Sequence, residues 1–375
     1  MTQGEHRFVT GPLVDHHCHG LVLRDLDRPG FEGLLNEASG PSPLGGSVFD
    51  SMLGLAVRRW CSPVLDLDPL AEASDYLARR NELGADEVAR RFLASASVSD
   101  FVVDTGYVPE PVTTLEELAG LAGGRSYEVV RLEALAEATL ADGVPPNGLM
   151  EAVEEALATT TAVGAKSIAA YRVGLDLPAT KPSETQLVEA VSSMQADAQG
   201  TVRLAHPMVN GFLAWAAIEA GLPLQVHVGY GDNDVNLRDC DPLLLTGFLR
   251  ATQERGVPVM LLHNYPFHRS AGYLAQVFDH VFMDVGLAVH NTGALSRHVI
   301  AESLELVPFT KMLYSSDAFG LPELYHLGSL LFRRGLSRVL EELVDDGEMA
   351  TADAERVADL VGHVNTVRAY RLDER

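Results

Sequence analysis

The sequence predicts an α/β chain, a (β/α)8 TIM barrel with a helical insertion lobe after its first strand. Three observations carry that expectation. Eight short runs rich in Val, Ile, Leu and Phe alternate with segments whose Ala, Leu and Glu fall at helical spacing. Such alternation implies parallel strands joined by helical crossovers, and eight units in one chain point to closure rather than to an open sheet. The first run ends in histidines, not in the phosphate-binding glycine turn that an open doubly wound sheet would use.

The runs lie at 13–19, 101–105, 127–132, 165–171, 222–227, 257–263, 280–285 and 311–316, with helical stretches such as 149–160, 242–254 and 294–306 between them. A barrel of this kind needs about 250 residues. The chain has 375, so the surplus must sit in insertions. The largest, 24–99, opens with Ser39-Gly40-Pro41-Ser42-Pro43-Leu44-Gly45-Gly46 and then reads as helical over 48–60, 68–83 and 85–95. It forms either a lobe over the barrel mouth or a contact between copies of the chain. A second insertion, 178–221, carries two helices, and 352–368 reads as a terminal helix packed outside. The expected organisation is one domain over 1–375, with the lobe 24–99 inside it.

Composition narrows the function. Formal net charge is −24, from 52 acidic and 28 basic side chains, and 47% of residues are hydrophobic. That balance argues against nucleic acid and anionic membranes as partners, since both reward basic surfaces. It supports a soluble protein with local Arg or Lys groups for an anionic small molecule. Cys18, Cys61 and Cys240 are too few to form a disulfide framework. No basic segment followed by an apolar run opens the sequence, and 211–228, the longest apolar stretch, is broken by Glu219, Gly221 and Pro223. The cytoplasm is the expected location.

Val14-Asp15-His16-His17-Cys18-His19 is the most informative stretch. Residues two apart on a strand share a face, roughly 6–7 Å apart. His17 and His19 thus stand side by side where the first strand ends, a way to grip a divalent metal, with Asp15 on the same face to support them. Cys18 points the other way. Functional residues of β/α barrels sit at the C-terminal ends of strands. His227 ends the fifth run, His263 the sixth, and Asp317 follows the eighth. Polar groups therefore recur where apolar runs stop.

These residues carry a resemblance. The ordered set of His17, His19, His227, His263 and Asp317 resembles the amidohydrolase superfamily. The words Ser167-Ile168-Ala169-Ala170-Tyr171-Arg172-Val173-Gly174-Leu175, Gln225-Val226-His227-Val228-Gly229-Tyr230-Gly231-Asp232, Leu262-His263-Asn264-Tyr265-Pro266-Phe267 and Ser316-Asp317-Ala318-Phe319-Gly320-Leu321-Pro322-Glu323 resemble its amidohydrolase-related branch. That branch includes the hydrolase-like region fused to a glutamine-synthetase-like domain in some fungal developmental proteins. It also includes non-oxidative decarboxylases of the aminocarboxymuconate-semialdehyde type. The likeness runs from Leu13 to about Glu323 and is weak over 24–99.

The resemblance implies a metal site. Some members of the superfamily bridge two metals with a carbamylated Lys at the end of strand four. Here that end reads Ala170-Tyr171-Arg172, and a guanidinium stays cationic, while Lys166 enters the strand earlier. One metal held by His17, His19, His227 and Asp317 is the expectation, with Zn²⁺ first and Mn²⁺ or Fe²⁺ as alternatives. Such an ion lowers the pKa of its bound water to about 7. Asp317 would move the water's proton to a leaving amine, and His263 would polarise the carbonyl.

Arg172 and Arg131 suggest a substrate carboxylate held by bidentate contact, although Arg131 could equally pair with Glu133 or Asp104. Tyr171, Asp232 and Glu323 are further substrate-binding candidates near the mouth. Asp232-Asn233-Asp234 lacks the spacing of a calcium loop. The sequence is thus read as an amide hydrolase for γ-glutamyl amides or N-acyl amino acids, as a monomer or homo-oligomer. A decarboxylase with the same metal shell, and a barrel that only binds, are the two alternatives.

Overall fold

The computed structural model describes residues 7–38, 40, 42–194 and 202–374. Part of the glycine- and proline-rich loop read at 39–46, and part of the insertion at 178–221, lie outside the described residues. Seven strands form, β1 (Leu13–Cys18), β2 (Val98–Asp104), β3 (Arg125–Arg131), β4 (Gly164–Ser167), β5 (Leu224–Val228), β6 (Val259–His263) and β7 (Val281–Met283). They follow one another in chain order. Their burial is nearly complete from β4 to β7. Continuous apolar runs of this sort suit strands covered on both faces.

The chain groups into two compact units. The first comprises the described residues of Met1–Val103, Val108–Tyr127 and Val285–Arg368. In it β1 and β2 pair in parallel, with Leu13 against Val98 and Cys18 against Val103, and with register shifts after Leu13 and Asp15. The inserted segment folds into short helical turns from Val48 to Leu65 and two helices, Ala73–Leu83 and Ala85–Ala96. Val88, Phe92 and Leu93 recur at helical spacing and are buried. The second of these helices packs on the helix Pro322–Asp345, and Phe92 meets His326 with ring centroids 5.6 Å apart. Pro322 opens that long helix at the one helical position where its missing N–H costs nothing.

The expected eighth strand, 311–316, is not a strand. Residues 314–320 run extended beside β1 instead. His16 N donates to Tyr314 O (3.1 Å), Asp317 N to His17 O (3.0 Å) and His19 N to Ala318 O (2.9 Å). A regular ladder is interrupted because the Asp15 carboxylate takes the Ser316 N–H (2.9 Å) and its hydroxyl. The next residue, Asp317, has φ of +52°, which no pleated strand accommodates.

The second unit comprises Asp104–Tyr107, Glu128–Asp284 and the described residues of Ala369–Arg375. Its strands are parallel throughout, with Val129 against Gly164, Ala165 against Leu224, Leu224 against Val259 and Val259 against Val281. Gly164 is required here, because a Cβ would stand 2.8 Å from Pro223 O. Two helices, Glu184–Ser193 and Pro207–Glu219, precede β5 as expected. The second is buried on nearly every face from Val209 to Ile218, and Trp215 Nε1 donates to Pro178 O (3.0 Å). Among the described residues, no helix is long and apolar enough to cross a membrane.

Candidate functional site

In the first unit, β1 delivers His17 and His19, and the extended segment beside it delivers Asp317. His17 Nε2 lies 3.1 Å and His19 Nε2 3.6 Å from the same oxygen, Asp317 Oδ1, with side chains 1%, 8% and 12% exposed. The two imidazoles stand edge to face, centroids 5.1 Å apart. Ligand atoms about 2.0–2.1 Å from a tetrahedral Zn²⁺ stand roughly 3.3 Å from one another. The His17 and His19 distances to Asp317 Oδ1 bracket that spacing, so each imidazole stands where it could share a divalent cation with that carboxylate.

The segment that carries Asp317 is locked from below by Asp15. Its carboxylate accepts the Ser316 N–H and Oγ–H and, at 3.4 Å, the His17 N–H. Burial pushes the Asp15 carboxyl up to about 7, and the Ser316 bonds oppose that rise. Asp15 thus holds the backbone of His17 and of the segment that carries Asp317. Cys18 is buried and turned to Val102 O.

Glu323 does not line an open mouth. It is fully buried, and its Oε1 accepts from Tyr76 Oη (2.8 Å) and Arg80 Nε (2.7 Å). The reason is that its partners arrive on the inserted helix Ala73–Leu83, which closes over it. A buried charge needs such a partner.

In the second unit, His227 is the penultimate residue of β5 and His263 the last of β6. Their rings lie 4.6 Å apart at 53°, and Tyr171 packs on His227 at 4.6 Å and 57°. A Cβ built on Gly231 would run into Tyr171 Oη, so only glycine lets that loop close over the ring. His263 and Asn264 both have positive φ, +66° and +56°. Asp284 Oδ1 accepts the His263 N–H (3.0 Å), and Asn264 Nδ2 donates to Asp284 O (2.9 Å). These bonds hold a backbone geometry that non-glycine residues seldom adopt, and such outliers gather at functional sites.

The fourth strand ends earlier than its apolar run. It stops at Ser167, and Ala169–Arg172 forms a helical turn capped by Ser167 Oγ on the Ala169 N–H (3.1 Å). Glu133 Oε1 accepts from Ser167 Oγ (2.8 Å) and Ile168 N (3.0 Å), which draws the backbone out of the ladder. Arg172 therefore sits on a turn, 3.1 Å from Glu137 Oε1. Burial pulls its guanidinium below the ordinary value, with Arg203 and Arg131 adding to the effect and Glu137 opposing it. Arg131 is held more tightly. Its Nη2 lies 2.6 Å and its Nε 3.0 Å from Asp104 Oδ2, so the ion-pair reading is the one the geometry shows. Asp232 Oδ1 accepts the Asp234 N–H (2.9 Å) in a turn.

Sequence reasoning missed Glu137 and Arg203. Glu137 holds Arg172 and also accepts the Leu204 N–H (2.9 Å), while Arg203 pairs with Asp234 and caps Tyr171 O (3.0 Å). A signal for Glu137 existed. Glu133 and Glu137 stand four apart at the start of a helix that follows β3 directly, which puts both carboxylates on one face.

Parallel β/α units carrying imidazoles and carboxylates at strand ends define a TIM-barrel-like class of α/β protein. The Amidohydrolase family model matches residues 134–372, more than half of the chain. The chain belongs to the amidohydrolase family. It is 29% identical to Protein fluG of Emericella nidulans, covering 99% of this chain and 47% of that protein. The chain thus spans about half the length of that relative. Among solved structures, a Lactobacillus casei protein assigned as a metal-dependent hydrolase is 28% identical, with a TM-score of 0.81 over 98% of this chain and 97% of that one. Uronate isomerase of Thermotoga maritima shares the fold at 15% identity, with a TM-score of 0.62 over 99% and 100% of the two chains.

Proposed function

We propose that this chain is a metal-dependent hydrolase that cleaves an amide bond in a small carboxylate-bearing substrate. The observation that carries the reading is the convergence of His17 Nε2 and His19 Nε2 on one oxygen of Asp317. The Lactobacillus casei relative, itself assigned as a metal-dependent hydrolase, supports it. The cation is one divalent ion, Zn²⁺ first and Mn²⁺ or Fe²⁺ after it, because nitrogen and oxygen donors accept all three. His17, His19 and Asp317 would hold it, and His227 is the further ligand proposed from the sequence.

When bound, such a cation polarises a carbonyl and lowers the pKa of a coordinated water to about 7. Asp317 takes the proton of the attacking water and returns it to the leaving amine. His263 steadies charge on the carbonyl oxygen. Arg172 takes the substrate carboxylate, exchanging its contact with Glu137 for a charge-assisted one. Arg131, already engaged by Asp104, shapes the wall beside it.

The test is elemental analysis of the purified protein, followed by a screen of γ-glutamyl amides and N-acyl amino acids for released amine. Near-stoichiometric metal and amine release support the proposal. Carbon dioxide release from unsaturated or aromatic acids would replace it with a decarboxylase. Bound metal with no turnover of either kind would leave a binding module.

A further inference from the structure

The first unit contains a basic cleft far from the acidic character of the chain. It is lined by Trp60, Ser296, Arg297, Leu331, Arg334 and Arg338, and holds about 330 Å³ of space, part of it open to solvent. No acidic residue is among its lining groups. Two guanidiniums lie over the Trp60 ring, with Arg59 Cζ 4.2 Å and Arg334 Cζ 4.4 Å from its centroid. Four arginines thus gather in a protein of formal net charge −24.

The fold gathers them at some expense. Arg334 and Arg338 stand four apart on the helix Pro322–Asp345, an arrangement in which like charges repel. Arg297 comes from the helix Ser296–Ser303, which packs on the long helix. Gly335 sets that crossing. A Cβ there would meet Ile300 Cδ1 at 2.5 Å and stand 3.4 Å from Arg297 Cα. Glycine lets the two backbones close, and the closure brings Arg297 to its neighbours. Among the described residues, Arg297 and Arg338 make no ion pair. Stacking on Trp60 helps fix the plane of the Arg334 guanidinium beside them.

We propose that this cleft binds the phosphate group of a small phosphorylated compound. The Arg297 and Arg338 guanidiniums come from two helices, and their forked donors match tetrahedral phosphate oxygens. The Ser296 hydroxyl adds a neutral donor. The site is independent of the amide-hydrolase reading, since none of its residues belongs to the proposed metal centre.

The chain has two tryptophans, so Trp215→Phe leaves Trp60 as the sole reporter. Inorganic phosphate is titrated at constant ionic strength and followed by fluorescence. The expected result is a saturable change whose dissociation constant rises at least about tenfold in the Arg297→Ala, Arg338→Ala chain. The thermal midpoint of the unmodified chain with and without phosphate reads the same comparison if Trp215→Phe folds poorly. An equal response to chloride, or to acetate at the same concentration, would overturn the proposal. So would unchanged phosphate affinity in the doubly substituted chain, the outcome expected if phosphate went to the metal centre instead.

Discussion

Two clusters, one in each unit, gather polar groups by the same rule and end with opposite chemistries. In the first, two imidazoles face one carboxylate oxygen at 3.1 and 3.6 Å. In the second, two guanidiniums each take a carboxylate, Asp104 for Arg131 and Glu137 for Arg172. Imidazole and carboxylate offer lone pairs and suit a cation. Guanidinium offers only N–H donors and suits an anion. A polar residue at a strand end is therefore not one signal but two, and the donor inventory separates them. The two arginine pairs differ as well. Arg131 makes a close two-point contact at 2.6 and 3.0 Å, whereas Arg172 reaches Glu137 at 3.1 and 3.4 Å. The looser pair is the one proposed to take a substrate carboxylate.

The sharpest way to break this contrast is Asp317→Asn. With the central carboxylate gone, bound metal should fall below about a tenth of an equivalent and kcat by roughly a thousandfold or more. Elemental analysis and amine release measure both, and wild-type values in either would end the assignment. His227→Ala comes next. As a proposed ligand it should cost more than the roughly 10–100-fold in metal affinity or activity known for groups that only support ligands, and the far-ultraviolet spectrum should stay native. A chain that keeps full metal and full rate would remove His227 from the centre.

Arg172→Ala sharpens the comparison on the second side. KM should rise about tenfold or more with kcat largely retained, the pattern of lost uniform binding. An unchanged KM would free the loose pair of any role in recognition. The smallest effect on chemistry should come from Glu323→Gln. It leaves Arg80 buried without its charge partner and should lower unfolding free energy by up to about 3 kcal/mol. Activity per folded molecule should not move, and denaturant midpoints beside kcat would show whether it does.

Much of the fold was legible because strands of three to seven residues are set by local periodicity. His17 and His19 were legible for the same reason, since spacing along one strand decides their neighbourhood. What failed depended on groups remote in sequence. The expected eighth strand is broken by a carboxylate from Asp15, some 300 positions away. Arg172 left its strand because Glu133 draws on Ile168, and Glu323 left the mouth because Tyr76 and Arg80 reach it from an insertion. An apolar run shows where a strand can form, but the hydrogen bonds that end it come from elsewhere.

The backbone at Asp317 has a further consequence. A left-handed residue other than glycine costs about 1 kcal/mol or more, and Asp317 bears that cost at φ +52°. Asp317→Gly would relieve it while deleting the carboxylate. Laboratory evolution scored only on heat resistance would drift toward that substitution and yield sturdier descendants without the proposed centre. Any campaign to toughen this chain has to hold position 317 constant and look for its gains elsewhere.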